Sequence, residues 1–168
     1  MERSRGIALM LLFRRSVAFF LDILILFAVL APAGLLVQSL LDYQPVTGPE
    51  IWTALLWNFS IPVWIYFILC DMSRTGATLG KRILGLRVRR VEGDMPLGFW
   101  LAFGRNAVKL LPWELVHFSA FAISHDLSRL SAGQTFGLTL ANALIVIYLV
   151  TAAMSRGHRS VHDYAAGT

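Results

Sequence analysis

The chain has 168 residues, of which 57% are hydrophobic and 15% charged, and its mean hydropathy is +0.64. Those values belong to a polytopic membrane protein and exclude an ordinary water-soluble domain. The net charge of +5 does not point to nucleic acid. The basic residues lie beside apolar runs, where membrane orientation and anionic headgroups account for them. A single cysteine, Cys70, excludes an intrachain disulfide and a thiolate metal cluster.

Met1 to Arg15 carries Arg3, Arg5, Arg14 and Arg15 around an apolar patch at Ile7 to Phe13, which suits the headgroup region. Ser16 to Leu41 follows, 26 residues interrupted by one acid, Asp22. A helix needs roughly 20 residues to cross a hydrocarbon core about 30 Å thick, so this run spans with tilt or with a bend at Pro32. A basic start, an apolar run and small residues at Ala31, Pro32 and Ala33 resemble a cleaved signal. Asp22 inside the apolar part, and the unbroken pattern beyond, favour an uncleaved first helix. A carboxylate in hydrocarbon costs about 2.5 to 3.5 kcal/mol, so Asp22 should face other helices and find a partner. Arg15 lies seven residues earlier, about 20° away on the same helical face. Contact would need Arg15 to reach inward or a third group to bridge them.

Asp42 to Glu50 contains Pro45, Gly48 and Pro49 and reads as an external turn. Ile51 to Cys70 is a second uncharged span, in which Pro62 predicts a kink and Asn58 and Ser60 offer interhelical hydrogen bonds. Asp71 to Met95 is the polar centre of the chain. It combines Arg74, Lys81, Arg82, Arg87, Arg89 and Arg90 with Gly76, Gly80 and Gly85. Gly76-Ala-Thr-Leu-Gly80-Lys81-Arg82 lacks the spacing and the hydroxyl residue of a phosphate loop, and it follows a membrane helix. Glycines that let the backbone turn against helix ends explain it better. Leu86 to Val91 partly alternates before Glu92-Gly93-Asp94, the pattern of a short surface hairpin.

From Pro96 the apolar pattern resumes. Arg105 and Lys109 share a helix face with Asn106 beside them. Either residues 97 to 111 lie in the interface with a short span after Pro112, or the stretch is one tilted span bent there; the two cations favour the first. Glu114 and His117, three residues apart, can pair. A polar turn holding Asp126 and Arg129 precedes the uncharged run Gly133 to Ser155, where Thr135, Thr139 and Asn142 share a face. That face reads as a hydrogen-bonding seam or as the lining of a pathway. The expected fold is therefore an all-α bundle in one membrane domain over 1–168. Its four spans lie near 16–41, 51–70, 110–124 and 133–155, with an interfacial amphipathic helix and a basic cytoplasmic segment. Fourteen Lys and Arg fall on one side of these spans and only Arg129 on the other. Both termini should therefore be cytoplasmic, in the inner, cell membrane.

Three separated blocks resemble the RDD family of membrane proteins. They are Arg15-Ser-Val-Ala-Phe-Phe-Leu-Asp22; Gly76 to Val88 with Lys81, Arg82 and Gly85, followed by Arg105-Asn106; and Arg159-Ser-Val-His162-Asp163 to Thr168. The resemblance implies a polytopic membrane protein, with cation/proton exchange among the activities suggested for members. Asp163 reads either as the acid of a capping box begun by Ser160 or as part of a network with Lys81, Arg82 or Arg105. His158, His162 and Asp163 do not amount to a metal site, and no nucleophile stands beside a base. No metal, cofactor or enzymatic activity is expected. Two functions follow. One is a transporter of protons or monovalent cations through Arg15, Asp22, Arg105, Asn106 and Asp163. The other is a noncatalytic assembly protein whose charge network is structural. In either case the partners are membrane lipids with anionic headgroups, and a second copy or another membrane protein, with no nucleic acid.

Overall fold

The computed structural model describes residues 2–91, 95–124, 126–155 and 159–168, with the backbone alone for 2–9. The expected turn at Glu92-Gly93-Asp94, the side chains of Arg3 and Arg5, and His158 lie outside the described residues. Among those described, regular structure is entirely helical. The helices are α1 (Glu2–Leu40), α2 (Gly48–Leu55), α3 (Ile61–Met72), α4 (Leu79–Ile83), α5 (Phe99–His117), α6 (Ala132–Met154) and α7 (Val161–Ala165). Three stretches are long and apolar enough to cross a membrane: Met10–Leu40, Gly48–Met72 and Ala132–Met154. Phe13, Phe20, Phe27, Val29 and Leu35 stand exposed along α1, a surface suited to hydrocarbon rather than to water.

Local chemistry sets the boundaries. The Thr47 hydroxyl accepts from the Glu50 N–H at 3.4 Å and the Glu50 carboxylate accepts from the Thr47 N–H at 3.0 Å, a capping box that starts α2 before the expected Ile51. A wide π-helical turn, Leu56–Ser60, joins α2 to α3 just before Pro62. Proline has no N–H for the carbonyl four residues back and its ring crowds that oxygen, so a widened turn accommodates it within a continuous helical run. The boundary expected at Pro112 is absent. Helix α5 passes through Pro112 and continues as a π-helical turn over Phe118–Ala122. Pro112 leaves the Val108 carbonyl without its helical donor, and the Tyr148 hydroxyl supplies one at 2.7 Å. The hairpin expected around 86–91 forms no strand; Val88 N–H donates to Gly76 O at 2.7 Å and Val91 N–H to Gly167 O at 3.0 Å.

The chain divides into two compact units. The first comprises Met1–Ile25, Ile65–Lys109 and Val146–Thr168. Its apolar core includes Ala18, Phe67, Val88, Leu97, Ala102, Ala152 and Ala166, with Phe19 stacked on Phe67 at 5.8 Å. Among the described residues, most of the fully buried polar side chains, Asp22, Asp71, Thr78, Asn106 and Asp163, lie in this unit and belong to the candidate site.

The second unit comprises Leu26–Trp64 and Leu110–Ile145. Phe59 is its aromatic centre, 6.0 Å from Phe27 and 5.7 Å from Trp113 between ring centroids. Gln134 is fully buried and links α6 to the chain before it: its amide donates to Ser124 O at 2.8 Å and its oxygen accepts from Ser131 N–H at 2.9 Å. Gly137 lies against Ser119, so closely that a Cβ there would collide with the serine side chain. Glu114 accepts from Ser60 at 3.1 Å and from the Trp64 indole at 2.9 Å, bonds made across helices rather than to His117.

Replacing Tyr148 with Phe leaves the Val108 carbonyl without a donor in a partly buried position. Thermal or denaturant unfolding of Tyr148→Phe in micelles is expected to show a loss of about 1 kcal/mol. Unchanged stability would mean that the hydroxyl does not replace the bond lost at Pro112.

Candidate functional site

Five helices bring acids and bases into one cluster in the first unit. Arg105, on α5 and 3% exposed, donates to Asp71 at 2.8 Å and to Asp163 at 2.7 Å. Asp71 also accepts from Lys81 at 3.0 Å and from the Asn106 amide at 3.0 Å. That amide donates as well to Ala102 O, one turn back, at 2.8 Å, which fixes the side chain along its own helix. Asp163 accepts from Arg15 at 2.6 Å and from the Ser160 N–H at 3.0 Å. Both expected roles of Asp163 are therefore present together: it closes the start of α7 and joins that helix to α1 and α5.

The expected partner of Asp22 is corrected. Arg15 turns to Asp163, and Asp22, 1% exposed, is held by neutral donors: the Thr78 hydroxyl at 2.5 Å, the Gly80 N–H at 2.7 Å and the Tyr66 hydroxyl at 2.8 Å. Two turns along a helix separate Arg15 from Asp22, farther than a hydrogen bond reaches, whereas a backbone N–H brought against α1 satisfies the carboxylate directly.

The glycine and basic block now has a structural explanation. Thr78 caps α4 and accepts from Lys81 N–H at 3.3 Å. Gly80 lies so close to α1 that a Cβ would collide with the Ala18 carbonyl and come within 3.1 Å of the Asp22 carboxyl carbon. Only glycine permits that approach with the N–H aimed at Asp22. Gly85, at φ +62°, ends α4: Leu86 N–H donates to Lys81 O at 2.7 Å and Gly85 N–H to Arg82 O at 3.1 Å. This pair of bonds is a Schellman motif, which needs a left-handed residue at that position. Lys81 points to Asp71, and Arg82 donates to Ala77 O at 3.2 Å and to the Thr75 hydroxyl at 3.0 Å. Gly76 takes the turn in which its carbonyl receives the Val88 N–H.

Charge and burial compete within the cluster. Burial disfavours the Asp163 carboxylate, but Arg105 and Arg15 outweigh it and hold the carboxyl well below its usual range. Burial, with Arg105 beside it, pushes the His162 imidazole down to about 3, so at neutral pH its 3.5 Å approach to Asp163 is not an ion pair. The Lys109 ammonium lies 3.3 Å from the Phe67 ring centre and 4.9 Å from that of Phe19. Burial lowers its pKa well below the ordinary value, and among the described residues its Nζ has no hydrogen-bond partner. His162 and Asp163 are the described members of the trio weighed for a metal, and among the described residues no group of three or more metal-binding side chains forms.

Asn58, Thr135, Thr139 and Asn142 belong to the second unit. Asn58 is half-buried and lies near Gly34, where a Cβ would come within 3.2 Å of it. Thr135, Thr139 and Asn142 are exposed. Thr135 donates to Ser131 O at 3.0 Å and Asn142 to Leu138 O, on its own helix, at 2.8 Å. The seam expected between helices is therefore not closed by these α6 side chains within the chain, because local carbonyls satisfy two of them. Asp71, Tyr66 and Thr78 are the partners that sequence reasoning missed. Asp71 did leave a signal: it is the first charge after an uncharged span and directly precedes the basic block.

Arg105→Met should leave Asp71 and Asp163 without their shared cation and lower stability by about 3 to 5 kcal/mol. Asp22→Asn keeps an oxygen for the Gly80 N–H and the Tyr66 hydroxyl and loses only the acceptor of the Thr78 hydroxyl, so it should cost less; equal losses would contradict this ranking. In acid, unfolded His162 takes up a proton near pH 6.5 that the folded chain refuses until about pH 3. Stability should fall as pH falls through that window, and His162→Phe should flatten the slope by about one proton. Identical slopes would remove His162 from the account. Asp163, with its lowered pKa, adds stability that is present above the ordinary carboxylate range and lost in stronger acid.

No curated protein and no solved structure was found to match. The family model described as RDD family matches residues 9–167, which include both the aspartate of α1 and the aspartate of α7. The chain belongs to the RDD family.

Proposed function

We propose that this chain is a noncatalytic integral-membrane assembly protein, in which the cluster around Arg105 locks helices from distant parts of the sequence into one unit. The observation that carries this reading is the commitment of the buried groups. Asp71 accepts from three side chains, Asp163 from two arginines, and Asp22 from three short neutral bonds. A carboxylate that must release and rebind an ion gains nothing from so complete a set of fixed donors, whereas a structural joint does.

In this reading residues 110–124 supply a fourth span beside the three apolar stretches. The distribution of Lys and Arg then puts both termini on the cytoplasmic side of the cell membrane, against anionic headgroups. The exposed Thr135, Thr139 and Asn142 would meet a second copy or another membrane protein, since polar side chains in hydrocarbon favour helix contacts.

A second reading, cation/proton exchange at Asp22, is favoured by one observation. Among the described residues no cation lies within ion-pairing distance of that carboxylate, so a proton or monovalent cation would neutralise it where no side chain does. Liposomes holding a pH gradient and the folded protein separate the two readings. The assembly reading predicts no dissipation on adding sodium, potassium or lithium. Dissipation that needs the added cation and disappears in a folded Asp22→Asn variant would overturn it in favour of exchange.

A further inference from the structure

Lys109 lies on α5, one turn after Arg105, and its Nζ is buried without a hydrogen-bond partner among the described residues. The nitrogen rests 3.3 Å from the ring centre of Phe67, a fully buried side chain, and 4.9 Å from that of Phe19. The nearby acid, Asp71, is already occupied at both oxygens. Lys81 holds Oδ1 at 3.0 Å, and Arg105 and the Asn106 amide hold Oδ2 at 2.8 Å and 3.0 Å.

Charged and titratable groups face the amine from every helix of the unit. Lys81 of α4 and Arg105 of α5 repel a proton there, while Asp71 of α3 and Asp22 of α1 attract one. His162 of α7 is neutral at neutral pH, and the Tyr148 hydroxyl of α6 is committed to Val108 O. An ammonium carries three N–H donors. Ring faces attract it but do not replace three acceptors, and a buried charge left without them is strongly disfavoured. Desolvation, reinforced by Lys81 and Arg105, therefore holds the Lys109 amine well below the ordinary lysine range. The folded chain thus keeps a base with an unused lone pair beside an ion pair whose acid suits either lysine.

We propose that Lys109 is a proton-binding site of the first unit, linked through the Asp71 carboxylate to the Lys81–Asp71 ion pair. A proton on Lys109 creates a new donor for Asp71. Lys81 yields before Arg105, because it makes one bond from a flexible stem whereas Arg105 also serves Asp163. Proton uptake then loosens one of the two ties on α4 and leaves the other, from the Gly80 N–H to Asp22, in place. The inference goes beyond the assembly reading and does not rest on it, since the setting of Lys109 is the same whether Asp22 is a joint or an exchanger.

The chain contains only two lysines, Lys81 and Lys109. Lysine labelled with carbon-13 at Cε therefore gives two signals in the full chain in micelles, and either Lys109→Met or Lys81→Met assigns both. In a pH titration the Lys109 midpoint is expected below the free-lysine value of about 10.4. The Lys81 signal should show a step at that same midpoint, and in Lys81→Met the Lys109 midpoint should move up. Stability gives an independent readout. Between the folded and unfolded midpoints the unfolded chain holds one proton more, so the Lys109 contribution raises the folding equilibrium constant about tenfold per pH unit as pH rises. Lys109→Met, which keeps an apolar side chain against Phe67, should remove that contribution. Cooperative unfolding establishes that each variant is folded; should Lys81→Met fail to fold, the step in the parent's Lys81 signal decides the link. The proposal is overturned if the Lys109 midpoint lies at or above the free-lysine value. It is equally overturned if the Lys81 signal shows no step there, or if the midpoint stays in place in folded Lys81→Met.

Discussion

Two carboxylates withdrawn from water share one guanidinium, and the three groups come from stretches of sequence as far apart as Asp71, Arg105 and Asp163. Bringing such charges out of water is costly for each, and only close, multiple hydrogen bonds offset it. Arg105 suits the position because its planar group serves two acids from different nitrogens, which a lysine ammonium does less well. Once Arg105 is in place, Asp71 is completed by Lys81 and Asn106, and Asp163 by Arg15 and the first turn of α7. The positions of α4 and α7, each only five residues long, depend on those bonds more than on their own helical propensity.

Asp22 solves the same problem by another route. Neutral donors hold it, one of them a backbone N–H that reaches the carboxylate only because Gly80 has no side chain. The first unit thus has two kinds of polar joint. One, around Arg105, is charge-balanced. The other, at Asp22, is made of three hydrogen bonds from neutral donors, and this contrast is why the exchange reading is weighed at Asp22 and not at Asp163.

Much of this arrangement was legible in the sequence. A helical membrane protein followed from the apolar runs, and the RDD resemblance picked out Arg15, Asp22, Arg105, Asn106 and Asp163, which do gather in one unit. The pairing within that set was not legible. Helical spacing placed Arg15 and Asp22 on one face, but spacing along a single helix says nothing of what other helices present to it. Tyr66 and Thr78 looked like ordinary span and loop residues, and Asp71 like the edge of a basic segment. Pro62 and Pro112 predicted a kink and a boundary. A π-helical turn precedes the first, and the Tyr148 hydroxyl supplies a donor at the second; neither has a signature in the neighbouring sequence. Thr135, Thr139 and Asn142 lie at helical spacing on α6, but spacing does not say whether this chain itself covers them.

A double-mutant cycle measures directly how far Arg105 and Asp163 act as one structural joint. Unfolding free energies of the parent, Arg105→Gln, Asp163→Asn and the double variant, taken in the same micelles, give the interaction energy. A joint of this kind leaves the double variant far less damaged than the two single losses added together, with a coupling of about 2 kcal/mol or more. Additive losses would mean that the two side chains contribute independently and would contradict the joint.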